Sequence, residues 1–328
     1  MDYTLGPRID LFEINDQGWY PQYLRGRIQE CLTFCWTISF PNLRNGPSAS
    51  SVLAKVLRRE LGASLPSYTF IDFCAGAGGP TPVIEKHLNA QLKREGLDAV
   101  TFVLTDLYPN PEAWMRVQAQ SPAIKWVAQP VDAGKAPERG ILLGAGGGES
   151  GSSQDRCETK DEDEDGGMRQ RNRMDKRKEK KVFRMFNLAF HHFDDEGAKR
   201  ILRDATANSD AIGIFEIQSR SLSGFLQVAS LGPLLTYLSP FYPPFWTLGH
   251  LFFTYIIPIL PFVMVFDGYM SALRTRTPQE ILALVETVPA ADREGWEWRW
   301  GTQAFAKPIG EINYFIGVKK SPEPDACS

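Results

Sequence analysis

The residues of this chain that could do chemistry fall at the ends of apolar runs. Asp72 and Cys74 close one run and are followed by Gly76 and Gly78, before a helical pattern that begins near Thr81. Glycines at this spacing let the backbone turn sharply and approach a ligand closely. A dinucleotide-binding fingerprint would need a third glycine where this chain has threonine. The pattern therefore indicates a nucleoside ligand other than a nicotinamide dinucleotide.

Two further carboxylates follow the next apolar runs. Asp106 comes directly after Val100–Thr105, where a carboxylate can accept hydrogen bonds from the two hydroxyls of a ribose. Its alternative role is to cap a helix beside Pro109. Asp132 directly follows the run Ile124–Val131. It either contacts the ligand or is a turn residue after the strand.

Two adjacent histidines, His191 and His192, follow the apolar run Lys181–Leu188. Because imidazole titrates near neutrality, either ring could orient or deprotonate a nucleophile. The alternative is that both rings fix the loop through hydrogen bonds to the backbone. Since adjacent side chains diverge, we expect at most one ring to face the ligand. Glu216, at the end of the next run, either lines the acceptor pocket or pairs with Arg220, and we expect the pairing.

These residues need a scaffold that brings the ends of successive strands to one edge. The apolar runs alternate with helical patterns, notably Thr81–Arg94 and Asp195–Ala207. This alternation predicts a mostly parallel sheet covered by helices on both faces. Near the end of the chain, Trp296–Phe305 and Ile312–Lys319 alternate with a period of two and are joined by a short connection, which predicts an antiparallel hairpin.

The pattern Asp72-x-Cys74-x-Gly76-x-Gly78 resembles motif I of the class I S-adenosylmethionine-dependent methyltransferases. The segments 15–21 and 105–110 are similar to a bacterial and fungal subgroup of that family, which carries a proline-broken apolar insert. The resemblance implies an α/β fold with a Rossmann-like sheet, mostly parallel, with a C-terminal antiparallel hairpin and an apolar helical insert. It also implies S-adenosyl-L-methionine as the cofactor and methyl transfer as the reaction.

The same resemblance implies roles for individual residues. Asp72 indirectly orders the methionine amino group, Asp106 binds the ribose, Leu107 or Tyr108 packs on the adenine, and Asp132 meets the adenine amino group. His191 and His192 are the implied catalytic residues. The full set of implied cofactor contacts is Asp72, Cys74, Gly76, Gly78, Asp106, Leu107, Asp132, Ala133 and Asn187.

Composition excludes several classes of protein. The chain has 36 Lys and Arg against 39 Asp and Glu, for a formal net charge of −3. No global positive field exists to attract phosphates, so we expect no nucleic-acid partner. The five cysteines form no CxxC pair, so we expect neither a disulfide framework nor a metal site, and an intracellular location. The N-terminal residues show no secretory signal pattern.

Two segments depart from the average composition. Residues 134–180 contain a glycine-serine run, an acidic block and a basic block, which predicts a disordered charged insertion. Residues 221–266 contain no Asp, Glu, Lys or Arg but are interrupted by prolines such as Pro258 and Pro261. We expect residues 221–276 to form an apolar insert flanked by Arg220, Arg274 and Arg276 on one aqueous face.

The apolar insert has two interpretations. Its length suits a membrane span, or an interfacial or re-entrant hairpin that contacts a bilayer. Alternatively, it is a water-excluding cap over a lipophilic pocket. The predicted organisation is an N-terminal helical lid (1–49), a cofactor-binding domain (50–133 and 181–320), the charged insertion (134–180) and the apolar insert (221–276).

The sequence thus predicts a methyltransferase that acts on a lipophilic small molecule and that is intracellular and membrane-associated. The acceptor is expected to enter beside or under the insert. The alternative is a non-catalytic, membrane-associated protein that keeps the methyltransferase fold.

Overall fold

The computed structural model describes residues 4–39, 46–144, 180–242, 245–306 and 310–320. Within these residues, seven strands form one sheet in the order β3-β2-β1-β4-β5-β7-β6. The strands are β1 (Tyr68–Phe73), β2 (Thr101–Thr105), β3 (Ile124–Trp126), β4 (Lys181–Asn187), β5 (Ala211–Glu216), β6 (Trp296–Ala306) and β7 (Gly310–Lys319).

The sheet is mostly parallel. Strands β1 to β5 pair in parallel, β7 runs antiparallel to β5, and β6 pairs antiparallel with β7 as a hairpin. The predicted fold class, an α/β fold with a Rossmann-like, mostly parallel sheet and a C-terminal antiparallel hairpin, is confirmed. The strand order reverses direction between β1 and β4, and ligands of open α/β sheets bind at such a switch point.

Helices cover both faces of the sheet and form the apolar insert. They are α1 (Gln22–Thr37), α2 (Ala49–Leu61), α3 (Thr81–Arg94), α4 (Pro111–Gln120), α5 (Arg139–Leu143), α6 (Asp195–Asn208), α7 (Leu222–Leu238), α8 (Leu248–Leu251), α9 (Ile259–Arg274), α10 (Pro278–Glu286) and α11 (Ala290–Arg293). The predicted helix Thr81–Arg94 matches α3 at both ends. Local caps set other boundaries: the Asp194 side chain accepts from the N–H of Gly197 and begins α6.

Alternate residues of each central strand enter two different cores. Phe70 packs on the face covered by α2, α3 and α4, whereas its neighbour Ile71 packs on the face covered by α5, α6 and α10. This alternation follows from the two-residue period of a strand. The strands are buried on both sides, which explains their continuous apolar sequences.

A third core joins the N-terminal helix to the apolar insert. Leu24, Ile28 and Phe34 of α1 pack with Phe245 and Leu260. The ring centroids of Phe34 and Phe245 lie 5.2 Å apart. Helix α1 therefore forms one body with the insert, and its role as a lid stays a prediction.

The third strand is shorter than predicted. It ends at Trp126 rather than at Val131, although Val127 N–H donates to Leu104 O and Val131 N–H donates to Asp106 O. Pro130 lies between these two bonds and has no N–H to continue the ladder. Asp132 consequently lies in a loop beyond the strand.

The apolar insert is a set of broken helices. Among the described residues, no single helix has the length and apolarity needed to cross a bilayer. The segments Leu248–Ile256 and Ile259–Arg274 together meet those two criteria, but they are bent by 72° at their junction. Pro258 stands at that junction, immediately before α9.

The arginines that flank the insert are buried, so their predicted position on an aqueous face is wrong. Arg220 pairs with Glu280, Arg276 pairs with Asp195 at 2.8 Å, and Arg274 contacts acidic residues of the N-terminal segment. Each guanidinium thus ties the insert to the rest of the domain.

Most of the predicted charged insertion, residues 145–179, lies outside the described residues. Residues 134–144 are described and contain the short helix α5. Its Leu142 is buried in the same core as Ile71. The predicted boundary at 134 is therefore too early, because this first part packs against the domain.

Candidate active site

The loop after β1 turns with left-handed backbone angles. Cys74, Gly76 and Gly78 have φ values of +61°, +53° and +107°. A Cβ added at Gly76 would meet no atom within 4 Å, whereas one at Gly78 would lie 3.3 Å from the Val117 side chain. The loop therefore leaves open space at Gly76 and packs tightly against α4 at Gly78, as a ligand-cradling turn requires.

Asp72 is the buried centre of a polar cluster at the switch point. Thr81 Oγ1 donates a hydrogen bond to one carboxylate oxygen, and Asn187 Nδ2 donates to the other at 3.0 Å. Burial raises the pKa of Asp72 to about 7, although both hydrogen bonds act to lower it. The Oδ1 atom of Asn187 is also buried and has no partner among the described residues, which leaves an acceptor for a ligand donor.

Asp106 links the two loops that follow β1 and β2. Its Oδ2 accepts from the N–H of Gly76 and its Oδ1 accepts from the N–H of Tyr108, both at 2.8 Å. An ionised carboxylate has about four acceptor positions, so it can still receive ribose hydroxyls. The alternative role as a helix cap is wrong, because Asn110 caps α4 instead. The side chains of Leu107 and Tyr108 are 48% and 81% exposed beside it.

Asp132 and Ala133 occupy different surroundings. The Asp132 side chain is exposed, and its Oδ1 accepts from the N–H of Gly134 at 2.8 Å, which is the role of a turn residue. Ala133 is buried in the core on the face covered by α5, α6 and α10.

Burial raises the pKa of the Cys74 thiol, and the nearby carboxylates of Asp106, Asp72 and Asp132 raise it further. The three predicted aspartates are thus close enough to Cys74 to influence its thiol electrostatically.

His191 lies buried between two glutamates. Its Nδ1 is 3.0 Å from Glu216 Oε2, and its Nε2 is 3.6 Å from Glu13 Oε1. Burial disfavours the imidazolium, but the carboxylates of Glu216 and Glu13 together outweigh that effect and raise the pKa of His191. The predicted pairing of Glu216 with Arg220 is wrong, since Glu216 faces His191.

His192 faces the same side of the loop. Its Nδ1 is 3.0 Å from Asp16 Oδ2, its Nε2 is 4.0 Å from Glu13 Oε2, and the two imidazole centroids are 4.2 Å apart. The expectation that at most one ring faces the ligand stays a prediction. Leu188, which precedes the histidines, has a φ of +54°, which is uncommon for a residue other than glycine. The ring nitrogens contact carboxylates rather than backbone atoms.

A cavity of about 110 Å³ connects the histidines with the apolar insert. Its polar wall includes Glu13, Asp16, His191, His192 and Gln218. Its apolar wall comes from α1 and the insert, through Ile28, Leu32, Val228, Leu231 and Met264. The cavity lies at the carboxyl ends of β4 and β5, where its lining residues Leu188 and Ile217 directly follow Asn187 and Glu216.

Sequence reasoning assigned residues 1–49 to a lid but missed the contacts through which their first part completes this cavity. Leu5 N–H donates to Arg220 O and Ile9 N–H donates to Leu273 O. The Asp267 carboxylate accepts from the N–H groups of Ile14 and Asn15, at 2.7 and 2.9 Å. Burial raises the pKa of Asp267 to about 6. No periodic pattern marks this segment, so nothing in the sequence places it against α9.

No family model matches the chain, and no curated protein matches it. Among solved structures, it is similar to the mitomycin 7-O-methyltransferase MmcR, with 13% identity over 84% of this chain and a TM-score of 0.37. The match spans 56% of that methyltransferase, which is just over half of its length.

Two further solved structures are similar over most of both chains. A Zn-dependent alcohol dehydrogenase from Rhodobacter sphaeroides shares 10% identity over 91% of this chain and 98% of its own, with a TM-score of 0.39. SCL7 from Oryza sativa shares 14% identity over 94% of this chain and 91% of its own length, with a TM-score of 0.38. These scores are too low to assign a function, and the fold class rests on the sheet order and register.

Proposed function

We propose that this chain transfers a methyl group from S-adenosyl-L-methionine to a lipophilic small molecule. The observation that carries the proposal is the link between the loops after β1 and β2, where Asp106 accepts a hydrogen bond from the N–H of Gly76 at 2.8 Å. That contact sets the second strand's carboxylate directly against the open turn after β1. A nucleoside with a charged tail fits such an arrangement, with its sugar on the carboxylate and its tail along the turn.

The cofactor contacts follow from this placement. Asp106 accepts from the ribose hydroxyls, and the exposed side chains of Leu107 and Tyr108 pack on the adenine. Asp132 receives the adenine amino group. The buried oxygen of Asn187 and the carboxylate of Asp72 lie on the opposite side of the turn, where the methionine portion ends.

The acceptor occupies the cavity between the histidines and the apolar insert. Its apolar wall selects a lipophilic molecule, and its polar wall orients the attacking atom. In the transfer, the methyl carbon bonds to the acceptor, and the electron pair of the broken C–S bond stays on sulfur. The acceptor's proton leaves to solvent or to the polar wall. His191 and His192 serve to align the nucleophile, and alignment supplies much of the rate enhancement in such a displacement.

Calorimetric titration of the detergent-solubilised protein tests this proposal. We expect micromolar binding of S-adenosyl-L-methionine and no binding of NADH. Binding of neither ligand would favour the alternative, a non-catalytic protein that keeps the fold. Binding of NADH alone would contradict both interpretations.

A second proposal, that the insert contacts a lipid bilayer, is supported by an exposed apolar patch. Leu248 is 90% exposed and Ile256 is 70% exposed, and Tyr237, Phe241 and Trp246 are exposed near them. Large contiguous apolar surfaces mark interaction sites, and aromatic residues favour the headgroup region of a membrane.

Vesicle co-sedimentation tests membrane contact. We expect the unmodified chain to sediment with phosphatidylcholine vesicles and the double variant Leu248→Glu/Ile256→Glu to remain in solution. Leu97→Glu is the matched control, since Leu97 is 39% exposed but lies outside the insert. Equal sedimentation of both variants would overturn this proposal without affecting the one on methyl transfer.

A further inference from the structure

We propose that Glu13, His191 and His192 form a binding site for a zinc ion. The three side chains offer ligand atoms that all lie within 4.8 Å of one another. This inference goes beyond the methyl transfer proposed above and does not depend on it.

The distances in the cluster suit a tetrahedral metal site. His191 Nε2 lies 3.6 Å from Glu13 Oε1, and His192 Nε2 lies 4.0 Å from Glu13 Oε2. Bonds of about 2.0–2.1 Å to a tetrahedral zinc ion separate its ligand atoms by roughly 3.3 Å. The two distances exceed that spacing by about 0.3 and 0.7 Å, and all the ligand atoms lie within 4.8 Å of one another, so side-chain rotations that bring the three groups together would close the site.

The other nitrogen of each ring is already held by a carboxylate. Glu216 lies 3.0 Å from His191 Nδ1, and Asp16 lies 3.0 Å from His192 Nδ1. This carboxylate–histidine arrangement accompanies most metal-bound histidines, because it fixes the tautomer whose Nε2 lone pair faces the metal. Two independent copies of it converge on one glutamate.

The second ring nitrogen of His191 has no hydrogen-bond partner among the described residues, although the side chain is 1% exposed. A buried imidazole nitrogen without a partner is costly. Glu13 Oε1 faces this nitrogen at 3.6 Å, within ion-pair range but longer than a hydrogen bond. A metal ion between the two groups would satisfy both of them.

The charge and donor types favour a divalent transition metal. Glu13, Asp16 and Glu216 bring three carboxylates to the site, and Arg274 opposes them with one positive charge, 3.4 Å from Glu13 Oε1. Ser271 Oγ also donates to that oxygen at 2.9 Å, so Oε2 is the freer ligand atom. Two imidazoles and a carboxylate are typical of zinc rather than magnesium or calcium. The three ligands line the cavity, which gives access to a fourth position.

The expectation of no metal site came from the absence of paired cysteines. It did not consider Glu13, which is 178 residues away from His191 in the sequence. A site assembled from such distant residues leaves no local spacing motif.

Metal binding to the purified full-length chain tests the inference. After treatment with a chelator, the protein is dialysed against Zn²⁺ and its bound metal is measured. We expect one equivalent per chain and a higher midpoint of thermal unfolding in the presence of Zn²⁺. His192→Ala should abolish both effects, whereas His87→Ala, which removes an exposed histidine of α3, should retain them.

A second variant guards against misfolding. Asp16→Asn changes an exposed side chain, and loss of an outer carboxylate is expected to weaken zinc binding by 10–100-fold. The inference is overturned if the chain binds no stoichiometric zinc, or if Asp16→Asn and His192→Ala bind zinc as tightly as the unmodified chain. Titration of the chelated protein with S-adenosyl-L-methionine separates this outcome from a failure of the proposed function.

Discussion

The Thr81 hydroxyl donates a hydrogen bond to the buried carboxylate of Asp72. Thr81 stands where a dinucleotide-binding chain has its third glycine, so the departure from that fingerprint has a structural cause. The residue begins α3 and at the same time supplies one of the two polar partners of Asp72, the other being Asn187. The hydrogen bond from Thr81 therefore ties the start of α3 to Asp72, across the glycine turn that joins them.

Thr81→Val should test the contribution of this bond. The change preserves the shape of the side chain but removes a donor from a buried carboxylate, which costs about 1–3 kcal/mol in the free energy of unfolding. Thr81→Ser keeps the hydroxyl and should lose much less. Urea denaturation of the three proteins measures the difference. Equal losses in both variants would show that packing, rather than the hydrogen bond, makes Thr81 necessary.

Asp72 should make stability depend on pH in an unusual direction. Its pKa is about 7 in the folded chain and about 4 in an unfolded one. The folded state therefore binds the proton more tightly than the unfolded state. The resulting contribution to the free energy of unfolding is complete below about pH 4 and is lost as the pH rises from about 4 to about 7. Above that value the contribution is constant.

The comparison with Asp72→Asn isolates this effect. Asparagine stays neutral, so the variant does not lose this contribution. The free energy of unfolding of the unmodified chain should therefore fall relative to that of the variant as the pH rises from 4 to 7. Urea denaturation across that range provides the measurement. If the two pH profiles run parallel, Asp72 does not hold the raised pKa.

Asp106→Ala should weaken binding of S-adenosyl-L-methionine by more than 1 kcal/mol, because it removes a charged acceptor from the ribose position. The variant also removes the partner of the Gly76 N–H, which loosens the turn. Calorimetric titration gives the affinity, and Asp98→Ala, at an exposed position before β2, is the matched control. Unchanged affinity in Asp106→Ala would remove this residue from the binding site.

Deleting residues 146–177 and joining the ends with a short Gly-Ser linker should preserve the fold. Arg139 Nη2 donates to Lys180 O, so the two ends of the segment lie close together and little loop entropy is needed to close them. The deletion spares α5 and its buried Leu142. Thermal unfolding and cofactor titration should match the full chain. A cooperative loss of stability would show that the charged blocks contact the domain.

The sheet could be predicted because its signals are local. Continuous apolar runs gave the five parallel strands, and the alternation of Trp296–Phe305 gave the hairpin. The partners of individual charges could not be predicted in the same way. Glu216 meets His191 instead of Arg220, and Arg220 meets Glu280, because these pairs depend on how loops and insert pack together.

The polar wall of the cavity shows the same limit. His191 and His192 were recognisable as adjacent imidazoles, but their carboxylate partners Glu216 and Asp16 come from other parts of the sequence. Glu13 had no signal at all, since its contact with His191 joins segments far apart in sequence. Residue type identified candidates, and long-range packing selected their partners.

The N-terminal segment imposes an order on the assembly of the chain during synthesis. Glu13 leaves the ribosome 178 residues before His191, an interval of about ten to forty seconds at ordinary elongation rates. During that time the residues that contact the Glu13 carboxylate and the apolar face of α1 have not yet been synthesised. Contacts of such long sequence separation form late and slowly. The polar cluster therefore completes only after the sheet that supports it has been translated.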